Sequence, residues 1–221
     1  MRLSSVFVAL SVLFSASCAI EGASVSEGQL AAPCKGSGCA LVAVETTWPK
    51  GFVDARVQGI RFDRFRFFIP AGAKLSFFSL GAVLIADYGD KRINFSYEYS
   101  QHFQKESAVD RSGAGKLTLA DYPRILFTKT VSDPEPKLIY DRLMWRDAMY
   151  GKGLYFEKTK AAFVARTGTV TAYYAETPSS SYRFTAYVTD AERSTFYLLV
   201  QIDGFDFNTF EKIVGSLRKE G

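Results

Sequence analysis

The sequence predicts an α+β domain, a mostly antiparallel, twisted sheet with two or three helices packed on it. Three observations lead there. Runs in which Phe, Tyr, Ile, Val and Thr alternate with polar residues recur over 61–99 and 161–202, the two-residue period of half-buried strands. Asp133 before Pro134 and Asp206 before an apolar stripe read as helix starts, since an Asp oxygen can accept from orphan amides of the first turn. Hydrophobic residues make up 48% of the 221, enough for a chain of this length to close one core.

The chain opens with Arg2 and the apolar run Val6 to Phe14. That run has the length of a secretory h-region and falls short of the roughly 20 residues a bilayer span needs. Ser15-Ala16-Ser17-Cys18 follows. This resembles the lipobox of bacterial lipoproteins, in which the Cys thiol receives a diacylglycerol and becomes the first mature residue. Ser15 stands where the lipobox usually carries Leu, and Leu13 lies two positions further back. Ser15 and Ser17 also satisfy the small-x-small rule of ordinary signal-peptidase cleavage, so plain secretion is the alternative. Ala19 after the Cys, in place of Asp, resembles the outer-membrane sorting signal. Both routes put the domain outside the cytoplasm, and the lipobox implies a membrane-anchored protein facing the periplasm.

Cysteine arithmetic bears on the choice. The chain has three Cys, and an odd count in an exported protein leaves one thiol to explain. Lipidation of Cys18 explains it. Cys34 and Cys39 then remain to close a small disulfide loop in an oxidising compartment. A zinc site is not indicated, since no second Cys or His pair exists to complete four ligands. Residues 1–17 therefore read as a leader and 18–39 as a tether with the lipidated Cys and the loop. Residues 40–221 read as one domain. Residues 19–33 are small and polar without periodicity, the composition of a flexible linker.

Within the domain, Arg61 to Ile69 reads as one strand that turns at Pro70 and Gly72. Lys74 to Leu80, Ala82 to Tyr88 and Lys91 to Tyr99 continue as a meander, with Asp87-Tyr88-Gly89-Asp90 as a hairpin turn. After a polar stretch from His102 to Lys116, Thr118 to Asp121 starts a short helix to about Lys129. A second helix begins at Asp133-Pro134, buries Leu138, Ile139, Leu143, Trp145 and Met149, and stops at Gly151 and Gly153. Ala161 to Arg166, Thr169 to Ala175, Tyr182 to Asp190 and Thr195 to Ile202 return to strand, the last apolar enough for a central position. Asp206 caps a final helix whose Phe210, Ile213, Val214 and Leu217 form one stripe, with Arg218 and Lys219 complementing its negative end.

The closing strand Tyr197-Leu198-Leu199-Val200-Gln201-Ile202, with Phe210-Glu211-Lys212-Ile213-Val214-Gly215-Ser216-Leu217, is similar to the PsbP-like fold of DcrB-type envelope lipoproteins. So is the strand Phe65-Arg66-Phe67-Phe68-Ile69-Pro70 that ends in proline. The resemblance implies an α/β/α sandwich acting as a binding, chaperone or assembly module, not a hydrolase.

Catalytic patterns are weak. His102 is the only histidine, and no Gly-x-Ser-x-Gly elbow accompanies it. Gly113-Ala114-Gly115-Lys116 lacks the upstream Gly and the following Ser or Thr of a phosphate loop. Asp87 with Asp90 and Asp203 with Asp206 are explained by turn and cap chemistry. The net charge of +4 includes the leader's Arg2, so nucleic acid is not suggested. No cofactor is expected.

Aromatic content remains, with 19 Phe and 12 Tyr. Tyr97, Tyr99, Tyr173, Tyr174, Tyr182 and Tyr187 sit on strands, where outward-facing rings would form a recognition surface. Half-buried sheet positions also suit Tyr, which is the competing explanation. The expectation is a non-catalytic, lipid-anchored protein of the bacterial envelope that binds a protein partner, as an immunity-type or assembly lipoprotein would. A carrier of a small lipid or glycan is the alternative.

Overall fold

A computed structural model describes residues 34–53, 56–78, 82–99, 115–178 and 180–220, with the backbone alone at Tyr99. Cys18, the leader, the tether as far as Pro33, His102 and Gly113-Ala114 lie outside the described residues. The elements in chain order are β1 (Val44–Thr46), β2 (Val57–Phe62), β3 (Phe65–Pro70), β4 (Lys74–Phe78), β5 (Val83–Asp87) and β6 (Arg92–Tyr99). Helices α1 (Asp121–Thr128) and α2 (Ile139–Tyr155) follow. After them come β7 (Ala162–Thr167), β8 (Val170–Glu176), β9 (Phe184–Asp190), β10 (Arg193–Asp203), α3 (Phe207–Ser216) and β11 (Arg218–Lys219).

The strands form an open eight-stranded sheet, β1-β7-β8-β9-β10-β6-β5-β4, and a small sheet, β11-β3-β2. Every pairing is antiparallel except β1 with β7. The fold is α+β, with a large mixed sheet that is mostly antiparallel. One face carries α3 and the small sheet over a core that includes Phe65, Phe67, Ile69, Phe95, Leu198 and Phe210. The other carries α1 and α2 over Phe127, Trp145, Met149, Phe156, Tyr173 and Tyr187.

Locally encoded turns lie where the residues place them. At the β5–β6 hairpin Gly89 takes φ 93°, Asp87 Oδ1 accepts from the Gly89 N–H at 2.8 Å, and the Tyr88 N–H donates to the Lys91 carbonyl at 3.0 Å. At α3, Asp206 Oδ1 accepts from the Thr209 N–H at 2.6 Å, and Phe210, Ile213, Val214 and Leu217 are all buried.

Four local expectations are corrected. Arg61 to Ile69 is two strands, because Asp63 adopts a left-handed φ of 53° and the chain reverses, setting Phe62 opposite Phe65. Asp tolerates that conformation better than most residues. Helix α2 starts at Ile139, five residues after Pro134. Pro136 disfavours helical backbone at Glu135, and the Asp133 carboxylate turns back to the Thr130 N–H at 2.8 Å. In its first turn Asp141 Oδ1 accepts from the Lys116 and Leu117 N–H groups at 2.9 Å each. The helix also runs through Gly151 and Gly153. A Cβ at Gly151 would sit 3.1 Å from Tyr122 Oη, and one at Gly153 would sit 3.1 Å from Cys34 Sγ, so both glycines permit close approach. Finally, Arg218 and Lys219 pair with β3 as a strand, although Arg218 Nη1 still donates to the Gly215 carbonyl at 2.8 Å.

Candidate binding surface

Successive strand residues face opposite sides of a sheet, and this divides the expected tyrosine platform. Tyr97 and Tyr174 point into the first core. Tyr97 stacks on Phe62 at 4.8 Å and donates to the Phe62 carbonyl at 2.9 Å, and Tyr174 packs on Phe163 and Phe210. Tyr173 and Tyr187 point into the second core beside Phe127, where Tyr122 stacks on Tyr197 at 6.0 Å. All four sequence-picked rings are buried, so they do not form an exposed surface. Layers cover both faces of β8 and β9, and the alternation that suggested half-exposed strands reports two buried sides instead. Tyr182 is half-buried ahead of β9, and Tyr99 contributes no described side chain. Burial raises the ionisation of Tyr122, Tyr187 and Tyr197 well above the usual phenol range, and the Asp147 charge adds to it.

Among the described residues, exposed aromatic side chains lie on β4, at Phe77 and Phe78, and on α2. Tyr150 is 47% exposed, Leu154 47% and Tyr155 39%, and Asp147 is exposed beside them. Asp147, Tyr150 and Leu154 follow one another at helical spacing, opposite the buried Trp145, Ala148, Met149 and Lys152. A sequence reading that stops the helix at Gly151 misses Leu154 and Tyr155; the signal for them is the spacing of four from Tyr150 to Leu154.

The disulfide loop sits at the end of the same helix. Cys34 and Cys39 are bonded, and the turn Ser37–Ala40 between β1 and the chain's start packs on α2. A Cβ on Gly38 would fall 2.5 Å from the Phe156 backbone carbon, and Ser37 Oγ donates to the Glu157 carbonyl at 2.6 Å. Cys39 is buried. Residues 34–39, expected to belong to the tether, are therefore part of the fold.

Lys152 is enclosed beneath α2. Its side chain is fully buried, its Nζ donates to the Lys129 carbonyl, and burial holds its ammonium down at about 8, with Asp133 pulling the other way. In an unfolded chain a lysine titrates near 10.4, so between about pH 8 and 10 the unfolded state binds more protons and stability rises with pH. Relative to Lys152→Met, the wild type is expected to gain about 2 kcal/mol between pH 7 and 9.5, measured by urea unfolding at each pH. An unchanged difference would show that the amine is not held neutral there.

At the opposite end of the sheet, Asp190 joins the two sheets. Its buried carboxylate accepts from Arg64 Nη1 at 2.7 Å and lies 3.1 Å from Lys219 Nζ. The Glu192 N–H donates to it at 3.2 Å. Burial alone would raise its titration, but bonds from Thr169, Glu192, Arg64 and Lys219 outweigh that and hold it at about 2. These groups are already engaged, which marks the cluster as a structural tie.

Two shallow hollows, of about 250 and 220 Å³, flank this tie, below the roughly 300 Å³ at which ligand pockets begin. Among the described residues no three His, Cys, Asp or Glu side chains are grouped as metal ligands. No helix among them is long and apolar enough to cross a membrane. No protein-family model matches the chain, and no curated protein matches its sequence.

Proposed function

We propose that this chain is a lipid-anchored envelope protein whose domain binds a partner protein through the outward face of α2. One observation carries the reading. Of three cysteines, Cys34 and Cys39 are consumed in a loop built into the fold, which leaves Cys18, directly after the apolar leader, as the thiol available for acylation. The same loop brings the chain into the domain beside Gly153, next to Tyr150 and Leu154. Fifteen residues, 19–33, separate it from Cys18, and fifteen residues in any conformation reach no further than about 50 Å. The α2 face then works close to its membrane. Tyr at an exposed, rigid position supplies contact area with little entropy lost. The PsbP-like resemblance supports a binding module in place of an enzyme, with an immunity-type or assembly partner as its object.

Intact mass of the processed chain is expected to show a diacylglycerol on Cys18, and Cys18→Ala is expected to move the protein into the detergent-free soluble fraction. An unmodified, freely soluble wild type would overturn the anchor. Tyr150→Ala with Leu154→Asp is expected to weaken capture of the envelope partner by at least about 30-fold while leaving the melting temperature unchanged, because both side chains are exposed. Undiminished capture would move the binding face elsewhere.

A further inference from the structure

The two edges of the eight-stranded sheet are unlike. β1 is three residues long, and its central Glu45 is ion-paired to Arg166. β4, at the other end of the strand order, carries Phe77 at 59% and Phe78 at 52% exposure. Adjacent strand residues face opposite sides of a sheet. The first core reaches as far as Leu75, whereas among the described residues neither the small sheet nor the helices cover the Phe77–Phe78 end of this edge. An apolar edge without Pro or bulge is a template for another strand.

Register identifies which main-chain groups are on offer. Tyr97 donates to the Ala82 carbonyl and Tyr88 to the Lys91 carbonyl, so the even-numbered residues of β5 bond to β6. The odd ones, Val83, Ile85 and Asp87, are paired with Phe78, Ser76 and Lys74 and bond to β4, since bonding alternates along an antiparallel strand. Leu75 and Phe77 direct their N–H and C=O groups away from β5, and no other described strand pairs with them.

We propose that β4 pairs antiparallel with β4 of a second copy of this chain, about a two-fold axis through Ser76, joining two eight-stranded sheets into one. In this register Leu75 faces the partner's Phe77 on one side of the sheet, and Lys74 faces the partner's Phe78 on the other. Four main-chain hydrogen bonds form through Leu75 and Phe77 of the two copies. The strand is complementary to itself: an ammonium meets an aromatic face, an aliphatic side chain meets an aromatic one, and the two Lys74 stay apart. The contact is isologous and closes at two copies. It does not depend on the anchor or on the α2 face.

Cross-linking in membranes containing the full-length protein tests it. The two Ser76 residues form the non-hydrogen-bonded pair on the axis, with Cα atoms about 4.5 Å apart, within disulfide reach. Ser76→Cys is expected to give a two-chain band under mild oxidation. Lys74→Cys alone is expected to give none, and a mixture of Lys74→Cys with Phe78→Cys is expected to restore it. Sedimentation of the detergent-solubilised wild type is expected to show two copies at about 100 µM, and Phe77→Lys to raise the dissociation constant at least tenfold. A single copy at that concentration, equal cross-linking from Lys74→Cys alone, or a Ser76→Cys product containing a different protein would each overturn the proposal.

Discussion

Asp190→Asn is expected to lower unfolding stability at pH 7 by about 3 kcal/mol, with a loss that shrinks as the solution is acidified. The carboxylate is buried at the end of β9, and its partners come from three other places: Arg64 at the β2–β3 turn, Lys219 on β11 and the Glu192 amide. Asn keeps the shape and removes the charge, so the Arg64 and Lys219 cations lose their buried counter-ion while remaining near one another. The pH dependence follows from the carboxylate's titration, held at about 2 in the fold against about 3.9 unfolded. A depressed carboxylate stabilises the fold fully above the unfolded value and loses that contribution as pH falls toward the folded one. The wild-type advantage should contract by about 2 kcal/mol between pH 5 and 2. Denaturant melts of both proteins across that range measure it. A constant difference would mean that the carboxylate is not stabilised by its cations.

Phe210→Ala is expected to cost about 4 kcal/mol, the largest single-residue effect proposed. Phe210 is wholly buried, stacks on Phe184 at 5.3 Å with ring planes 16° apart, and touches Tyr174 and Phe207 edge-on or tilted. It is the residue by which α3 grips the large sheet. Glycine-tight contact behind the helix limits collapse into the void: a Cβ at Gly215 would come within 2.4 Å of the Pro49 carbonyl oxygen, so α3 is already seated against that segment and has little room to shift inward. Calorimetry would test this, and a loss below about 1.5 kcal/mol would indicate that neighbouring rings refill the space.

What could be read before the fold was known follows the range over which each signal acts. Asp206 and the stripe from Phe210 to Leu217 are contained in three turns of chain, and Asp87 with Gly89 in one hairpin, so both were legible. Val44–Thr46 is too short to show a period and becomes a strand only because β7 lies beside it. Asp133-Pro134 imitated a helix start because the effect of Pro136 on Glu135 outweighs the cap. The strand tyrosines were visible as β-formers, but their burial depends on two layers contributed by distant segments. Asp190 has the same difficulty, since its partners are 126 and 29 residues away. On α2 the apolar stripe from Leu138 to Met149 was legible as a helix, whereas the exposed Leu154 and Tyr155 were hidden by taking Gly151 as a stop signal where it is a point of contact.

The bond between Cys34 and Cys39 also governs how the domain bears mechanical load. A pull arriving from the amino-terminal side passes from Cys34 through sulfur to Cys39, so the backbone of residues 35–38 stays slack and Gly38 keeps its seat on Phe156. Load from any segment ahead of Cys34 would thus be delivered past residues 35–38, and their seat against the end of α2 would hold.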